Sequence, residues 1–439
     1  MFEKHVSVLG VAFLLGGCLT VHLPKAEIER QSEPKAVTWV ALVRQALANN
    51  PDLREARARV ESKARSRDIA FGDYLPAVDG GVHKSASRTT SGPTSDRLSL
   101  DISARQSFFD GLGTTGKWLG ARKDLEAERF AYNEMSADIC HRLRTSYINV
   151  IRLEKLFETN RLISERRKQN AEMVRLRYEA GRENLGSALR AEAIAEQAAF
   201  DVRQTERQLE KEALRLARES GGEFVLPLRV DDDLEKMTKF VKLPEEDYAG
   251  LADETPAVLR LLKVAESAKA EMMSAQSSVW PQVDGTYEYG YSGDRASHLK
   301  DQSSIGVSVT MPFFEGGKNV AAIRKAKADY DAAENAVRSA RDETVAQLAA
   351  ARAPFIDAVE VVQVRKKFLE AARERAEIIR TEYATGLVNF LDFDTAEQEN
   401  ANAEKEYVES LANVFIQQSQ WAKIRGVTLE EAYDEIQNQ

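Results

Sequence analysis

The chain of 439 residues contains one sequence unit twice, at an offset of 205 residues. The first members of the identical pairs are Pro51, Glu61, Ser62, Pro76, Val78, Asp79, Gly80, Phe108, Phe109, Gly111, Tyr178, Gly181, Asn184, Ala191 and Glu192. Their partners are Pro256, Glu266, Ser267, Pro281, Val283, Asp284, Gly285, Phe313, Phe314, Gly316, Tyr383, Gly386, Asn389, Ala396 and Glu397. A single register over this length indicates a tandem duplication, which predicts a pseudo-symmetric structure.

The composition excludes several classes of protein. Hydrophobic residues make up 43% of the chain, charged residues 30%, and the net charge is -9. No run of eighteen apolar residues occurs, so no membrane-spanning helix is predicted. An acidic chain lacks the basic face that phosphate groups require, which argues against nucleic acid as a partner. The five histidines show neither metal-ligand spacing nor a catalytic arrangement, so we predict no enzyme, no metal site and no cofactor.

The N-terminus resembles a lipoprotein signal peptide. Lys4 precedes an apolar run from Val6 to Gly17, and Leu15-Gly16-Gly17-Cys18 fits the bacterial lipobox. We therefore expect a signal peptide over residues 1–17 and a lipid on Cys18, with a plain secretory signal as the alternative. Leu19 differs from the aspartate that retains similar lipoproteins at the inner membrane, so the outer membrane is the expected destination.

Each copy begins with a helix and continues into a β-hairpin. Pro51 and Pro256 suit the first position of a helix, and a second proline ends each helix, at Pro76 and Pro281. After each second proline the hydrophobic pattern repeats every two residues, as in a β-strand. Apolar and polar residues alternate over 98–104, 287–291 and 305–311, and residues 81–88 form a weaker strand. The sequence therefore predicts four strands per chain.

The alternation in these strands has two readings. Apolar residues on one face and polar residues on the other are typical of the wall of a lipid-exposed barrel with an aqueous interior. The alternative is a half-buried sheet covered by a helix. In lipid, four strands cannot close and open edges are not tolerated, so the barrel reading requires several chains. Three chains supply twelve strands, which makes a homotrimer the smallest closure we expect.

The remainder of each copy is a long helical hairpin. Residues 117–177 and 318–382 have few helix breakers, and about 60 residues span about 90 Å. Gly181 and Gly386 can adopt the left-handed conformation that ends a helix, and residues 186–219 and 390–424 then return. The Ala-rich seams of these hairpins predict close coiled-coil packing.

These features together resemble the TolC-like outer-membrane efflux proteins, and the lipobox resembles their lipoprotein branch. The resemblance rests on the duplication, on the Phe-Phe-Asp-Gly and Phe-Phe-Glu-Gly turns after the second strands, and on the two Tyr-x-x-Gly tips. It implies a mixed, mainly α fold, in which a trimeric channel-tunnel joins a 12-stranded outer-membrane β-barrel to a long periplasmic α-helical coiled-coil barrel. The expected location is the outer membrane of a Gram-negative bacterium, extending into the periplasm.

The resemblance also divides the chain. Residues 18–37 follow the lipidation site, residues 38–221 form the first repeat and residues 247–426 the second. Residues 222–246 are then an insertion that, with the tail 427–439, forms an equatorial collar. The expected partners are two further copies of the chain, outer-membrane lipid, a periplasmic adaptor, and an inner-membrane pump or transport ATPase.

The hairpin tips are the functional site that the resemblance implies. Tips of this family form the periplasmic entrance, dock the adaptor and close the resting channel. The matching docking residues are Gly181, Asn184, Gly386, Leu387 and Asn389. The matching gate residues are Tyr383 and Asp392, with Asp394 beside them. Val388 replaces the gate arginine of the family and Thr395 its second aspartate, so the closing network must be built differently.

Opposite charges on the two tips indicate how such a network could form. The first tip carries Arg175, Arg177, Arg182 and Arg190, and the second carries Glu377, Glu382, Asp392 and Asp394. We predict that neighbouring hairpins are complementary and that these charges hold the entrance shut. A solvated, helix-supporting charged face is the alternative, because a single exposed pair contributes only about 0 to 1 kcal/mol.

Three functions are compatible with the sequence. The first is a passive conduit for small-molecule efflux in a tripartite system, which the resemblance to the lipidated branch favours. The second is the outer-membrane channel of a type I protein secretion system, since the same conduit serves both and other chains select the cargo. A periplasmic coiled-coil scaffold or adaptor is the third, although it would not explain the strands with one apolar face.

Overall fold

The computed structural model describes residues 37–87, 95–222, 230, 232–238, 241, 246–294 and 298–437. The expected signal peptide and Cys18 lie outside these residues. The described residues are mainly helical, with one four-stranded sheet. The helices are α1 Trp39–Asn49, α2 Pro51–Gly72, α3 Gly113–Glu179, α4 Leu185–Ser220, α5 Leu234–Met237, α6 Tyr248–Glu254, α7 Pro256–Gln276, α8 Lys318–Thr385, α9 Phe390–Arg425 and α10 Leu429–Gln437. The strands are β1 Ala77–Ser87, β2 Ser95–Phe109, β3 Gln282–Gly293 and β4 Lys300–Thr310.

The sheet is antiparallel, and its strands follow one another in the order β1-β2-β3-β4. Ala77 pairs with Arg105 in the first hairpin. In the second hairpin Gln282 pairs with Thr310, which are the positions 205 residues later in both strands. The two copies therefore share one strand register, and the duplication is present in the backbone as well as in the sequence.

One face of the sheet is apolar across all four strands. Val78, Ala104, Tyr287 and Ile305 lie side by side in one row, and Ile305 is 85% exposed. The neighbouring row, on the opposite face, consists of Asp79, Ser103, Glu288 and Ser304. Since successive side chains of a strand point to opposite faces, the alternation in the sequence becomes one continuous apolar surface that a single chain leaves uncovered.

Two helical hairpins account for most of the length of the molecule. Helix α3 has 67 residues and α8 has 68, so each is about 100 Å long. Helices α4 and α9, of 36 residues each, return along them. Among the described residues, none of the helices has both the length and the apolar character needed to cross a membrane.

The main core lies part-way along the arms, where short elements pack against the long helices. Its members on α3 include Leu143, Tyr147 and Ile148. Leu234 of the insertion and Leu429 of the tail belong to the same cluster. The Tyr147 hydroxyl donates a hydrogen bond to Asp232, and the Ser136 hydroxyl donates one to Glu430 at 2.6 Å. The described parts of the insertion and the tail thus pack on the same level of the arms.

A second, smaller core lies at the tips of the helical hairpins. Its buried members are Ala171, Val174, Ala188, Ala191, Tyr383 and Phe393. The first four come from the first hairpin and the last two from the second. This cluster therefore joins the two tips of one chain, and it is the setting of the residues that the sequence assigned to the gate.

Candidate functional site at the paired hairpin tips

Both tips have the same backbone turn. The Arg182 N–H donates to the carbonyl of Arg177 at 2.8 Å, and the Leu387 N–H donates to the carbonyl of Glu382 at 2.9 Å. Gly181 and Gly386 adopt φ values of 72° and 83°, the left-handed conformation that ends a helix in this way. The second helix of each hairpin then starts at an asparagine. All five expected docking residues thus belong to the turns, Leu387 through its backbone N–H.

The asparagines act as helix N-caps. The Asn184 side chain accepts the backbone N–H of Ser187 at 2.9 Å, and that of Asn389 accepts the N–H of Asp392 at 3.0 Å. Leu387, the fifth expected docking residue, is 77% exposed at the end of the second tip. The side chains of the asparagines are part of the turns, whereas the leucine side chain projects away from them.

Tyr383 is fully buried between the two tips. Its ring stacks on Phe393 with centroids 4.6 Å apart, and its hydroxyl donates to a Glu183 carboxylate oxygen at 3.0 Å. Burial, together with this carboxylate, raises the pKa of Tyr383, so the hydroxyl remains a donor at neutral pH. Burial also acts to raise the pKa of Glu183, but hydrogen bonds from the Asn184 N–H and Tyr383 outweigh it and lower that pKa.

Arg177 of the first tip binds the end of helix α8. Its guanidinium lies over the Tyr383 ring, 4.6 Å from the centroid. One guanidinium nitrogen donates to the carbonyls of Tyr383 at 2.7 Å and Ala384 at 3.2 Å. The Tyr383 carbonyl also accepts the Gly386 N–H at 3.0 Å, so the cation adds a second donor there and complements the negative end of the helix dipole.

Asp394 carries the second link between the tips. It is 7% exposed and lies 3.3 Å from Arg167 and 3.0 Å from Arg190, both of the first hairpin. Arg167 is buried as well and also donates to Gln398 at 2.9 Å. Burial lowers the pKa of Arg167 in spite of the opposing attraction of Asp394, but an arginine remains charged at neutral pH. The two arginines thus compensate a carboxylate that would be costly to bury alone.

The polar contact between α3 and α9 continues away from the tips. Arg166 holds Glu404 through two hydrogen bonds of 3.0 and 2.7 Å. Within the second hairpin, Arg380 holds the buried Glu397 at 2.5 Å. The seam between the two hairpins is therefore joined by charged pairs as well as by apolar packing.

The remaining predicted residues lie outside these links. Arg175 pairs with Glu179 and Glu192 of its own hairpin. Arg182 is exposed and takes part through its backbone. Asp392 is also exposed, and its backbone N–H is the donor that the Asn389 side chain caps. The structure thus brings together Tyr383, Asp394, Arg177 and Arg190 of the predicted set, and it leaves Asp392, Arg175 and Arg182 apart.

Three residues of the site were not predicted from the sequence, namely Glu183, Phe393 and Arg167. Glu183 could have been found, because at the offset of 205 it stands where the second copy has Val388. Val388 packs against the Tyr383 cluster, so the two copies contribute a carboxylate and an apolar side chain from equivalent positions. Phe393 and Arg167 carry no comparable signal in a single sequence.

The arrangement of two helical hairpins beside a four-stranded sheet is the architecture of an outer-membrane efflux channel. The family model described as "Outer membrane efflux protein" matches residues 42–222 and 252–426, and the chain belongs to this family. The chain is 25% identical over 333 residues to the outer membrane efflux protein BepC of Brucella suis, covering 71% of this chain and 70% of BepC. It is 25% identical over 382 residues to the cation efflux system protein CusC of Escherichia coli, covering 81% and 79%.

Solved structures share the fold. A crystal structure of CusC superposes with a TM-score of 0.82 at 17% identity, covering 88% of this chain and 91% of that chain. The open state of the MtrE channel of Neisseria gonorrhoeae superposes with a TM-score of 0.81 at 20% identity, covering 89% of both chains. The predicted family, the fold class and the location in the outer membrane of a Gram-negative bacterium, extending into the periplasm, are confirmed. The relatives are channel proteins rather than enzymes.

Proposed function

We propose that three copies of this chain form the passive outer-membrane channel of a tripartite export system, which carries small molecules from a periplasmic adaptor and an inner-membrane pump or transport ATPase to the outside. The observation that carries this proposal is the sheet. Its apolar face is exposed across four strands, and β1 and β4 are its outer strands. A bilayer would cover the face, and further copies would pair the outer strands.

The number of copies follows from closure. Four strands cannot form a closed barrel, whereas twelve strands enclose an aqueous channel between their polar faces. Three copies would also place six long helical hairpins around one axis below the barrel. Membership of the outer membrane efflux family and the common fold with CusC and MtrE support this assembly.

The tips are the gate in this proposal. The Glu183–Tyr383–Arg177 cluster and the Arg167–Asp394–Arg190 cluster each join the first hairpin to the second within one chain. An entrance lined by such hairpins widens when they separate, and separation would expose buried charges. The exposed end of the second tip, Leu387, together with the turns at Gly181 and Gly386, is the surface that the adaptor would contact.

Efflux of small molecules is favoured over protein secretion as the purpose of the conduit. BepC is named an outer membrane efflux protein and CusC a cation efflux system protein, which supports small solutes as cargo.

A lipid on Cys18 would anchor each chain at the periplasmic face of the same membrane. Cys18→Ala should then abolish incorporation of radiolabelled palmitate while the channel still reaches the outer membrane through its strands.

Native mass spectrometry and planar-bilayer recordings test the assembly and the gate separately. Protein extracted from outer membranes in detergent should have the mass of three chains and should conduct ions with low unitary conductance. The double variant Asp392→Ala and Asp394→Ala should remain trimeric and conduct more. A monomeric mass would contradict the trimer, and a trimeric variant with unchanged conductance would contradict the gate.

A further inference from the structure

We infer that strand β4 of one copy pairs antiparallel with β1 of the next copy in a defined register, with Val309 opposite Val82 and with Phe313 covering Gly80. This inference rests on the trimer proposed above and specifies its interface. It is drawn from the duplication, because a junction between a first and a second repeat already exists inside the chain, between β2 and β3.

The internal junction supplies the register. Strand β2 ends the first hairpin and β3 begins the second, and Ala104 lies opposite Tyr287. The junction between copies joins the end of the second hairpin to the beginning of the first. Adding the repeat offset of 205 to Ala104 gives its equivalent in β4, Val309, and subtracting it from Tyr287 gives its equivalent in β1, Val82. The pair Ala104–Tyr287 therefore predicts that Val309 lies opposite Val82. The transfer is justified because the two hairpins already share one internal register.

This register keeps the faces of the barrel consistent. Val309 and Val82 both belong to the apolar face, and they are 68% and 71% exposed in the single chain. One position further, Ser308 lies opposite His83 on the polar face. A slip by one residue would place apolar side chains in the aqueous interior, and is excluded on that ground. A slip by two residues would preserve the faces, so a second observation is needed to distinguish it.

The aromatic turn after each second strand provides that observation. Phe108 lies at the irregularity where the pairing of β2 and β3 shifts between Ser107 and Phe109. Its ring lies over Gly285, where a Cβ would stand only 2.4 Å from the ring. The equivalent residues are Phe313, which is 90% exposed, and Gly80, whose nearest neighbour for a Cβ is 4.0 Å away. In the inferred register Phe313 covers the Gly80 of the next copy, and in a slipped register it does not.

A second glycine contact agrees with the first. Gly111 packs against Trp280, so closely that a Cβ would lie 2.5 Å from the Cβ of Trp280. The equivalent glycine, Gly316, has nothing within 4 Å, and the position equivalent to Trp280 is the exposed Leu75. Each of the two contacts is thus made once within the chain, between β2 and β3. The equivalent groups at the outer strands, Phe313 and Gly316 after β4 and Gly80 and Leu75 near β1, lack these contacts in a single chain. A second copy of the chain is the partner that completes both contacts.

Disulfide cross-linking tests the register. The double variant Val82→Cys with Val309→Cys places cysteines at the inferred pair. Two control variants combine Val309→Cys with Gly80→Cys or with Lys84→Cys, and these pairs would lie opposite each other only if the register slipped by two residues. Two strands separate β1 from β4 within a chain, and Val82 lies in the row of Asp301, eight residues from Val309. The two positions therefore lie about 30 Å apart within one chain, and a bond can form only between copies. Directly opposite residues in antiparallel strands satisfy disulfide geometry, whereas diagonal neighbours lie too far apart.

On oxidation, the inferred pair should yield covalent dimers and trimers in non-reducing gels, at least about tenfold more than either slipped pair. Single-cysteine parents report the background from the native cysteines. Should the Val82 and Val309 variant fail to assemble, Ser308→Cys with His83→Cys repeats the test on the opposite face. Stronger cross-linking of a slipped pair in a protein of trimeric native mass would overturn the register and keep the trimer. A monomeric native mass of the unsubstituted protein would overturn both.

Discussion

The two hairpin tips have the same backbone but opposite roles in the contact between them. Tyr178 is half-buried, whereas its equivalent Tyr383 is fully buried and hydrogen-bonded. Leu189 is 53% exposed, whereas its equivalent Asp394 is buried between two arginines. The first tip therefore supplies cations and a carboxylate acceptor, and the second supplies the aromatic rings and the buried acid.

This difference teaches how a duplicated unit comes to bind its own copy. The conserved turn, with its left-handed glycine and asparagine cap, sets the same geometry at both tips. Identical side chains would then place like charges opposite one another, which is unfavourable. Divergence at a few positions, such as Arg190 against Thr395 and Glu183 against Val388, makes the two surfaces complementary.

Asp394→Asn should give the largest effect on this asymmetric contact. The change leaves Arg167 buried without its carboxylate, which typically costs about 3 to 5 kcal/mol. We expect faster amide hydrogen exchange in both tips and a higher unitary conductance. The matched control is Leu189→Asn, the equivalent exposed position of the first copy, with an effect below about 0.5 kcal/mol. Equal effects of the two changes would show that the tips are interchangeable.

Tyr383→Phe should have the next largest effect. It removes the hydroxyl that donates to Glu183 and keeps the ring stacked on Phe393, so we expect a loss of about 1.5 to 3 kcal/mol, the usual range for a hydrogen bond to a charged group. Hydrogen exchange at the tips measures the loss. Tyr178→Phe, at the equivalent position, should change the exchange by less than about 0.5 kcal/mol. Unchanged exchange in Tyr383→Phe would show that the hydroxyl does not stabilise the contact between the tips.

Acidification should weaken the same contact through Glu183. The pKa of this group is lower in the folded tip than in the unfolded chain, so its stabilisation is present above the ordinary glutamate pKa of about 4.3 and is lost as the pH falls through the folded value. The protection factors of the tip amides, taken against the intrinsic exchange rate at each pH from 7 to 3, should therefore fall below about pH 4. In Glu183→Gln the contact between the tips should be weaker already at pH 7, and the part of the acid response that comes from Glu183 should be absent. An unchanged acid response in Glu183→Gln would assign it to other carboxylates.

Asp392→Ala should have the smallest effect within one chain. Its side chain is exposed and has no ion pair among the described residues, so we expect a change within about 0.5 kcal/mol in tip exchange. The single variant also separates the contribution of Asp392 from that of Asp394 in the double variant proposed above. A conductance increase as large as that of Asp394→Asn would place Asp392 in a contact between copies.

Most of the fold could be predicted from local signals. The long helices lack breakers, and the left-handed glycines and asparagine caps mark the turns, so residues 186–219 were predicted where α4 runs from Leu185 to Ser220. The start of α3 was missed by four residues, because the Asp110 carboxylate accepts the Thr114 N–H at 2.5 Å and allows the helix to begin at Gly113 instead of Lys117.

The site was less accessible to sequence reasoning because its partners are remote in the chain. Glu183 and Tyr383 are 200 positions apart, and the pairing becomes visible only when the two hairpins are packed together. Asp392 was assigned to the gate by the family resemblance, and Asp394 because it lies beside Thr395, which occupies the position of the family's second aspartate. Burial separates them, since helix α9 turns Asp394 toward Arg167 and leaves Asp392 in solvent.

The sheet has a consequence for how the molecule is made. The hairpins α3–α4 and α8–α9 join segments that are close in sequence, so they can fold quickly within a newly exported chain. In the proposed trimer, the outer strands β1 and β4 finish pairing only when another copy arrives. The last stage of folding is then a collision between molecules, and its rate depends on their concentration in the periplasm. Until that collision the chain presents unpaired strands and an apolar face, the form most exposed to aggregation and proteolysis.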